Sequence, residues 1–239
     1  MNYDKRILVF SATYNEIENI KELISGIQKN LPNSSILIID DNSPDKTQEV
    51  IHKLKKNNSS LFLIERENKL GLDTAHKAAF RYAVENNFDY LITMDADLSH
   101  DPRELPKFVK NLNNFPFVMG SRYASGGKCS MTGSRLIMSK FGNKLIKILS
   151  GIKSNEFTTS YRGFNVKKLG NFDLNNVKSK GYSFFMGTLF ELEKNNIEIK
   201  EIPITFNDRI KGVSKIPKVE ILRTLKNLFF LTLNKRFFK

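Results

Sequence analysis

Short apolar runs alternate with helical patterns along the first part of the chain, and this alternation constrains the fold more than any other feature. Four apolar runs predict buried strands, at residues 5–12, 35–39, 61–64 and 90–94. Helical spacing of apolar residues predicts helices at residues 15–30, from Asp45 through Leu54, and at residues 74–86. This order predicts an α/β fold of the Rossmann-like kind, with a mostly parallel central sheet and helices on both faces.

Polar clusters follow three of the predicted strands directly. They comprise residues 13–16, 40–45 and 95–100. The carboxyl ends of parallel strands lie at one edge of a sheet, and ligands of such folds bind beyond that edge. We therefore expect the three clusters to form one binding site.

The charge balance favours an anionic partner. Lys and Arg number 38 against 25 Asp and Glu, a formal net charge of +13 in 239 residues. Charge alone leaves nucleic acid, an anionic membrane and a phosphate-rich substrate open. The 40% hydrophobic content suffices for one substantial core and excludes a disordered chain. One cysteine, Cys129, excludes an intramolecular disulfide and a cysteine metal cluster.

Two carboxylates one residue apart, Asp95 and Asp97, follow the fourth predicted strand. Paired carboxylate oxygens suit a hard divalent cation such as Mg²⁺ or Mn²⁺. Such a cation would bridge two phosphates and neutralise charge on a departing diphosphate. The competing interpretation is a solvated acidic turn that caps the next helix, because so short a motif is frequent by chance.

The two earlier clusters offer groups for a nucleotide. Asp40 and Asp41 could accept hydrogen bonds from a base edge or a ribose, and Tyr14 offers a flat face for a base. Helix capping is the competing role for the two aspartates, although Ser43 or Asp45 could supply it. A plain loop is the alternative for residues 13–16.

Six motifs in order resemble those of family 2 glycosyltransferases, in particular the branch that loads mannose onto polyprenyl phosphates such as dolichyl phosphate. The motifs are residues 12–16, 40–47, 94–102 and 120–123, then Arg135, Ser139 and Asn143, and finally residues 201–206 leading to Arg209, Gly212, Ser214 and Lys215. The resemblance covers residues 7–215. It implies a GT-A fold in a single domain, with a nucleotide-sugar half (1–119), an acceptor half (120–217) and an amphipathic C-terminal helix (218–239).

The resemblance also implies roles for individual residues. The donor would be bound by Ala12, Tyr14, Glu16, Asp40, Asp41, Asp95, Ala96, Asp97, Arg209 and Lys215. The metal would be bound by Asp95, Asp97 and Ser99, and the acceptor phosphate by Arg122, Arg135 and Ser139. Catalysis would rest on Asp97, Arg122 and Arg209. Arg135, Ser139 and Asn143 share one helix face, and arginine suits phosphate oxygens, although each alone could belong to a solvated basic face.

Some residues depart from the family pattern, mainly where the sugar and acceptor are expected. Ala12 replaces a usual Pro, and Asp73 interrupts a Gly-Leu-Gly stretch. Residues 156–162 read Glu-Phe-Thr-Thr-Ser-Tyr-Arg in place of Asp-x-Thr-Ser-Gly-Phe-Arg. Phe185 stands where Gln is common, and Gly187 where an acid is expected. The departures leave the identity of the sugar open rather than the class of reaction.

The implied reaction is in-line attack by a polyprenyl phosphate oxygen on the anomeric carbon of GDP-mannose, with inversion. An anionic phosphate needs no catalytic base. A UDP-sugar such as UDP-glucose, or a cell-envelope saccharide acceptor, is the alternative within the class. A nucleic-acid-binding protein would explain the charge, but Lys and Arg are dispersed and no binding module is recognisable, so we expect no nucleic acid partner. The intact aspartate pair argues against a non-catalytic subunit.

The two ends of the chain bear on its location. The N-terminal apolar run is too short for a signal peptide or a membrane span, so we expect a cytoplasmic protein. Residues 218–239 have the pattern of a helix with one apolar stripe surrounded by Lys and Arg. Such a helix is predicted either to lie on the cytoplasmic face of a membrane or to pack on the core of the protein. A membrane surface is therefore an expected partner, and a membrane-anchored protein is a further one.

Overall fold

The computed structural model describes residues 5–208 and 219–237 of the chain. Seven strands in this part form the central sheet in the order β3-β2-β1-β4-β7-β5-β8, and β6 pairs with β9 in a small second sheet. The strands are β1 (Ile7–Thr13), β2 (Ser35–Asp40), β3 (Leu61–Glu65), β4 (Tyr90–Thr93), β5 (Phe117–Ser121), β6 (Lys128–Cys129), β7 (Arg162–Asn165), β8 (Ile199–Pro203) and β9 (Thr205–Phe206).

Strand β7 runs against the rest of the central sheet. It pairs antiparallel with β4 on one side and β5 on the other, whereas β3, β2, β1 and β4 pair in parallel, as do β5 and β8. The prediction of a mostly parallel sheet is confirmed. The sequence analysis did not identify β7, although this strand joins the two parallel groups.

Seven α-helices are present in the described residues. They are α1 (Ile20–Asn30), α2 (Thr47–Lys55), α3 (Leu72–Glu85), α4 (Leu105–Leu112), α5 (Gly133–Ser150), α6 (Ser183–Lys194) and α7 (Val219–Phe237). The first predicted helix begins five residues too early, because side chains of the β2–α2 loop and of the first residue of α2 accept hydrogen bonds from the backbone N–H groups there. Ser43 accepts from Asn15, Thr47 from Glu16 and Asp45 from Ile17.

Helices cover both faces of the sheet, as predicted. Alternate residues of a strand point to opposite faces. On β1, Ile7 and Val9 pack in a core with α1, α2 and α4, while Leu8 and Phe10 pack in a second core with α3, α6 and parts of α5 and α7. Both cores stop at the carboxyl ends of β1, β2 and β4, where the polar clusters begin.

The C-terminal helix α7 packs on the core through part of its surface. Leu228 is fully buried, and the Asn227 amide donates to the hydroxyl of Ser183 at 2.6 Å. Lys235 pairs with Glu193 at 2.6 Å. Leu225, Phe229 and Phe230 remain exposed on the same helix. In the ranges that the structure describes, no helix has both the length and the apolar character that crossing a bilayer requires.

Candidate active site

The three polar clusters meet at the carboxyl edge of the sheet, and Asp40 ties two of them together. Its carboxylate accepts from the hydroxyls of Thr13 (2.7 Å) and Ser43 (2.6 Å), from the Ser43 N–H (2.8 Å) and from the amide of Gln48 (2.7 Å). The side chain is fully buried. With four internal hydrogen-bond donors, Asp40 has a structural role in this structure, and its contact with the sugar donor stays a prediction.

Asp41 lies at the edge of the same cluster and orders the loop after β3. It forms a 2.9 Å ion pair with Arg66 and accepts the backbone N–H of Gly71 at 3.0 Å. Arg66 also donates to the hydroxyl of Thr74 at 2.8 Å. Arg66 was not predicted from the sequence, because its partner lies 25 positions earlier and no local pattern links the two residues. This network fixes the rim of the expected nucleotide site.

Residues 12–16 lie beside this rim, at the end of β1 and in the loop that follows it. Ala12 is half-buried at the end of β1. The ammonium group of Lys69 lies 3.7 Å from the ring centroid of Tyr14, so a cation already covers one aromatic face. Glu16 is nearly buried and accepts from the amide of Asn19 at 2.8 Å. Tyr14 and Lys69 together present a flat, positively charged surface, and Lys69 was not predicted.

The loop after β4 carries Asp95 and Asp97. Leu98 adopts a left-handed conformation with φ of 63°, and this turn brings Ser99 back onto Asp97. The Ser99 hydroxyl and N–H donate to Asp97 Oδ1 at 2.6 and 3.0 Å. Ser99 therefore orients Asp97, and its direct contact with the metal stays a prediction. Ala96 is buried between the two aspartates.

The buried side chain of His100 contacts the backbone of the same loop. Its Nδ1 accepts the backbone N–H of Asp95 at 3.0 Å, so this nitrogen carries no proton. Burial lowers the pKa of His100, and the charges of Asp95 and Asp97 only partly oppose that effect. The imidazole is therefore neutral and structural. The His100 ring stacks on the ring of Tyr161 with a centroid distance of 4.8 Å.

The aspartate pair fits a divalent cation that also binds substrate. The Asp95 side chain is 38% exposed and Asp97 is nearly buried at the strand end. Within the described ranges, no cluster of three or more His, Cys, Asp or Glu residues is placed to hold a metal alone. Mg²⁺ typically binds through one or two carboxylates together with substrate phosphates and water. Two aspartates beside a nucleotide rim match that donor set.

Arg122 and Glu156 form a buried ion pair in the half of the chain that is predicted to bind the acceptor. Arg122 Nε donates to Glu156 at 2.6 Å, a second nitrogen donates at 3.2 Å, and the exposed fractions of the two side chains are 9% and 0%. Burial alone would raise the pKa of Glu156, but the charge and hydrogen bonds of Arg122 lower it. The guanidinium also lies over the ring of Phe206 at 4.5 Å. Arg122 is thus held by an internal carboxylate, and the predicted phosphate contact would compete with Glu156.

The other predicted acceptor residues lie on α5. Arg135 is exposed and pairs with Asp208 at 3.2 Å. Ser139 accepts a hydrogen bond from the hydroxyl of Tyr123 at 2.7 Å. One turn later, Asn143 is buried and accepts the N–H of Phe157 at 2.7 Å. All three residues lie on α5, and Ser139 is the one that contacts Tyr123 in the loop after β5. Arg209 and Lys215 lie outside the described residues.

A cleft of about 770 Å³ separates α5 from the loop after β5. Its lining includes Lys140, Lys144, Lys147 and Ile148 of α5, together with Arg122 and Tyr123. None of the described residues that line it is acidic. A row of lysines at helical spacing gives this cleft a positive charge, and the sequence analysis did not identify it.

Comparisons with known proteins agree with this geometry. The model of the family described as glycosyl transferase family 2 matches residues 8–172. The chain belongs to this family. A protein described as an undecaprenyl-phosphate mannosyltransferase, from Micrococcus luteus, is 34% identical over 212 residues, which cover 88% of this chain and 87% of the relative. The protein is a glycosyltransferase.

Solved structures share the fold of this family 2 chain. A glucosyl-3-phosphoglycerate synthase from Mycobacterium tuberculosis, in complex with Mn²⁺, UDP and phosphoglyceric acid, has a TM-score of 0.66 at 16% identity, over 98% of this chain and 78% of that one. A mannosyltransferase from Pyrobaculum calidifontis, in complex with GDP-Man and Mn²⁺, has a TM-score of 0.62 at 16% identity, over all of this chain and 66% of that one. The predicted fold is confirmed.

Proposed function

We propose that this glycosyltransferase moves mannose from GDP-mannose to a polyprenyl phosphate, with inversion and with Mg²⁺ or Mn²⁺ as cofactor. One observation carries the proposal: a cleft lined by Arg122 and the α5 lysines, Lys140, Lys144 and Lys147, adjoins an exposed apolar helix face. An acceptor that fits both surfaces has an anionic head and an apolar tail. The name of the Micrococcus luteus relative supports the same acceptor and sugar.

The donor would lie across the carboxyl edge of the sheet. Tyr14 and Lys69 offer a cationic aromatic surface for a base, and Asp41 with Arg66 supports the rim. Ala12 and Glu16 line the same edge, and Asp95 and Asp97 would hold the metal. When bound, the metal supplies Lewis-acid stabilisation of the leaving diphosphate. By resemblance, Arg209 and Lys215 would add positive charge near that diphosphate.

The acceptor phosphate would approach from the side of α5. A phosphate oxygen forms the new bond to the anomeric carbon while the bond from that carbon to the diphosphate oxygen breaks, and the electron pair leaves with GDP. No proton moves in this step, because the acceptor is already an anion at neutral pH. Arg135 is the exposed guanidinium on α5, and Arg122 lines the cleft that the phosphate would enter. Positioning and charge stabilisation would account for the rate.

The acceptor side also has the character of a membrane-facing surface. Exposed apolar residues of α5 comprise Ile137, Met138, Phe141, Ile148 and Leu149, and those of α7 comprise Leu225, Phe229 and Phe230. Lysines flank both sets. An apolar helix face bordered by cations suits the interface of an anionic leaflet. We propose that the enzyme acts peripherally at the cytoplasmic face of a membrane, with α5 and α7 against the lipid.

UDP-glucose is the alternative donor, since the Mycobacterium tuberculosis structure was solved with UDP. The test is transfer of labelled sugar from GDP- and UDP-sugars to short polyprenyl phosphates, with Mg²⁺, Mn²⁺ or chelator. We expect mannosyl transfer from GDP-mannose that requires the cation. Transfer from a UDP-sugar alone would refute the donor, and the absence of any lipid product would refute the acceptor.

Variants make this assay specific to the site. Asp97→Ala removes a proposed metal ligand and is expected to lower kcat/KM by roughly 100-fold or more. Arg135→Ala is expected to raise the KM for the lipid phosphate with a smaller effect on GDP-mannose. Asp173→Ala and Arg81→Ala are matched controls away from the site and should retain wild-type rates. Equal losses in the controls would show that the assay reports folding rather than chemistry.

A further inference from the structure

Three consecutive residues before β7 contact the loop that carries the two aspartates. The Thr159 hydroxyl lies 3.4 Å from His100 Nε2, the Ser160 hydroxyl donates to Asp95 Oδ1, and the Tyr161 hydroxyl donates to the carbonyl of Asp101 at 3.0 Å. The contacts follow the aspartate loop nearly from end to end. A segment far along the chain thus supports the proposed metal site at three points.

Ser160 is the member of this segment that touches a proposed metal ligand. It is 2% exposed, and its carbonyl accepts a hydrogen bond from the hydroxyl of Thr93. Thr93 lies on β4 and pairs in register with Arg162 on β7. The strand pairing therefore fixes the backbone just after Ser160, and the hydrogen bond from Thr93 holds the Ser160 carbonyl, so both restrict the position of its hydroxyl.

Asp95 needs such support more than Asp97 does. The Asp95 side chain is 38% exposed, whereas Asp97 is nearly buried and held by Ser99 of its own loop. An exposed carboxylate rotates unless a neighbour holds one of its oxygens. The Ser160 hydroxyl holds Oδ1, and the Asp95 N–H bonded to His100 holds the backbone.

We propose that Ser160 is a positioning residue that orients Asp95 for the divalent cation. The inference rests on the proposed function, because it assumes a metal at the aspartate pair. Hydrogen-bond partners of metal ligands typically change metal affinity by 10- to 100-fold when they are removed. Ser160 acts through Asp95 and has no role in binding the nucleotide base or the acceptor.

The test is the affinity for Mn²⁺, measured by electron paramagnetic resonance in the presence of GDP and, separately, of UDP. Ser160→Ala is expected to weaken Mn²⁺ binding about 10-fold. Its affinity for the nucleotide without metal should equal that of the wild type. Ser34→Ala is the matched control, since it removes another buried serine hydroxyl, one that donates to Leu31 at 2.8 Å far from the site.

A double-mutant cycle separates positioning from general damage. In an Asp95→Asn background, Ser160→Ala should weaken Mn²⁺ binding by less than 2-fold, because the carboxylate that it orients is gone. An unchanged Mn²⁺ affinity in Ser160→Ala, or an equal loss in both backgrounds, would overturn the inference and leave the proposed function intact. If the wild type binds no Mn²⁺ with either nucleotide, both proposals are wrong.

Discussion

The proposed donor side and the proposed acceptor side of this enzyme differ in how their surfaces are built. On the donor side, carboxylates at the strand ends are held by internal donors, as Asp40 is by Thr13, Ser43 and Gln48. On the acceptor side, α5 and α7 carry most of the large apolar side chains that the described residues expose. The first region is a fixed polar frame, and the second is an apolar surface with cations at its border.

The difference indicates which substrate would be recognised by a preformed, rigid site and which would be recognised at an open surface beside the membrane. A nucleotide diphosphate offers many polar groups at set distances, which a preformed frame can match without reorganisation. A long lipid offers one charged group and a flexible apolar tail, for which an open apolar face is sufficient. The buried pair of Arg122 and Glu156 lies at the boundary between the two regions.

Removing the charge of Glu156 from the buried Arg122–Glu156 pair should have the largest effect on the stability of the protein. Glu156→Gln leaves the Arg122 charge buried without a countercharge, and we expect a loss of about 3–5 kcal/mol in the free energy of unfolding. Chemical denaturation measures it. Asp208→Asn removes the partner of exposed Arg135 and serves as the control, with an expected loss of under about 1 kcal/mol. Similar losses for both variants would contradict the contrast between buried and exposed pairs.

A buried histidine behind the donor side should make the frame sensitive to acid. Burial, and to a smaller extent the charge of Arg162, lower the pKa of His76 from 6.5 to about 3. At pH values between about 3 and 6.5, His76 binds a proton in the unfolded chain but not in the folded protein, so the free energy of unfolding falls as the pH falls. From pH 7.5 to 5 this histidine should contribute a loss of about 2 kcal/mol.

The measurement is denaturation of wild type and His76→Leu at both pH values. The variant should lose about 2 kcal/mol less than the wild type over the same interval. His100 is also buried with a lowered pKa and is retained in both proteins, so its contribution cancels. An identical pH dependence in the two proteins would show that His76 does not titrate in this way.

The smallest expected effects belong to the acceptor surface. Phe141→Ser removes an exposed ring of α5, and we expect about 1 kcal/mol weaker binding to vesicles that contain anionic lipid, with stability unchanged. Vesicle sedimentation measures the change. Val84→Ser, on the exposed side of α3, is the control and should bind vesicles as the wild type does. An equal decrease in both would mean that α5 does not face the lipid.

The sequence predicted the donor side better than the acceptor side, for a physical reason. The strands and polar clusters of residues 5–97 repeat a local pattern, because parallel strands buried on both faces are continuous apolar runs. Strand β7 and the Arg122–Glu156 pair depend on partners far along the chain, which leave no periodic signal. Sequence composition also does not reveal that internal donors surround Asp40.

The antiparallel strand has a consequence for how this protein can be made. In space β7 lies between β4 and β5, yet a ribosome synthesises it after both. Until residues 162–165 are available, the outer edge of β4 has no partner, and unpaired strand edges recruit other chains. The nucleotide half is therefore not expected to survive as an independent fragment. A split version of the enzyme should recover its fold only when the second piece supplies β7.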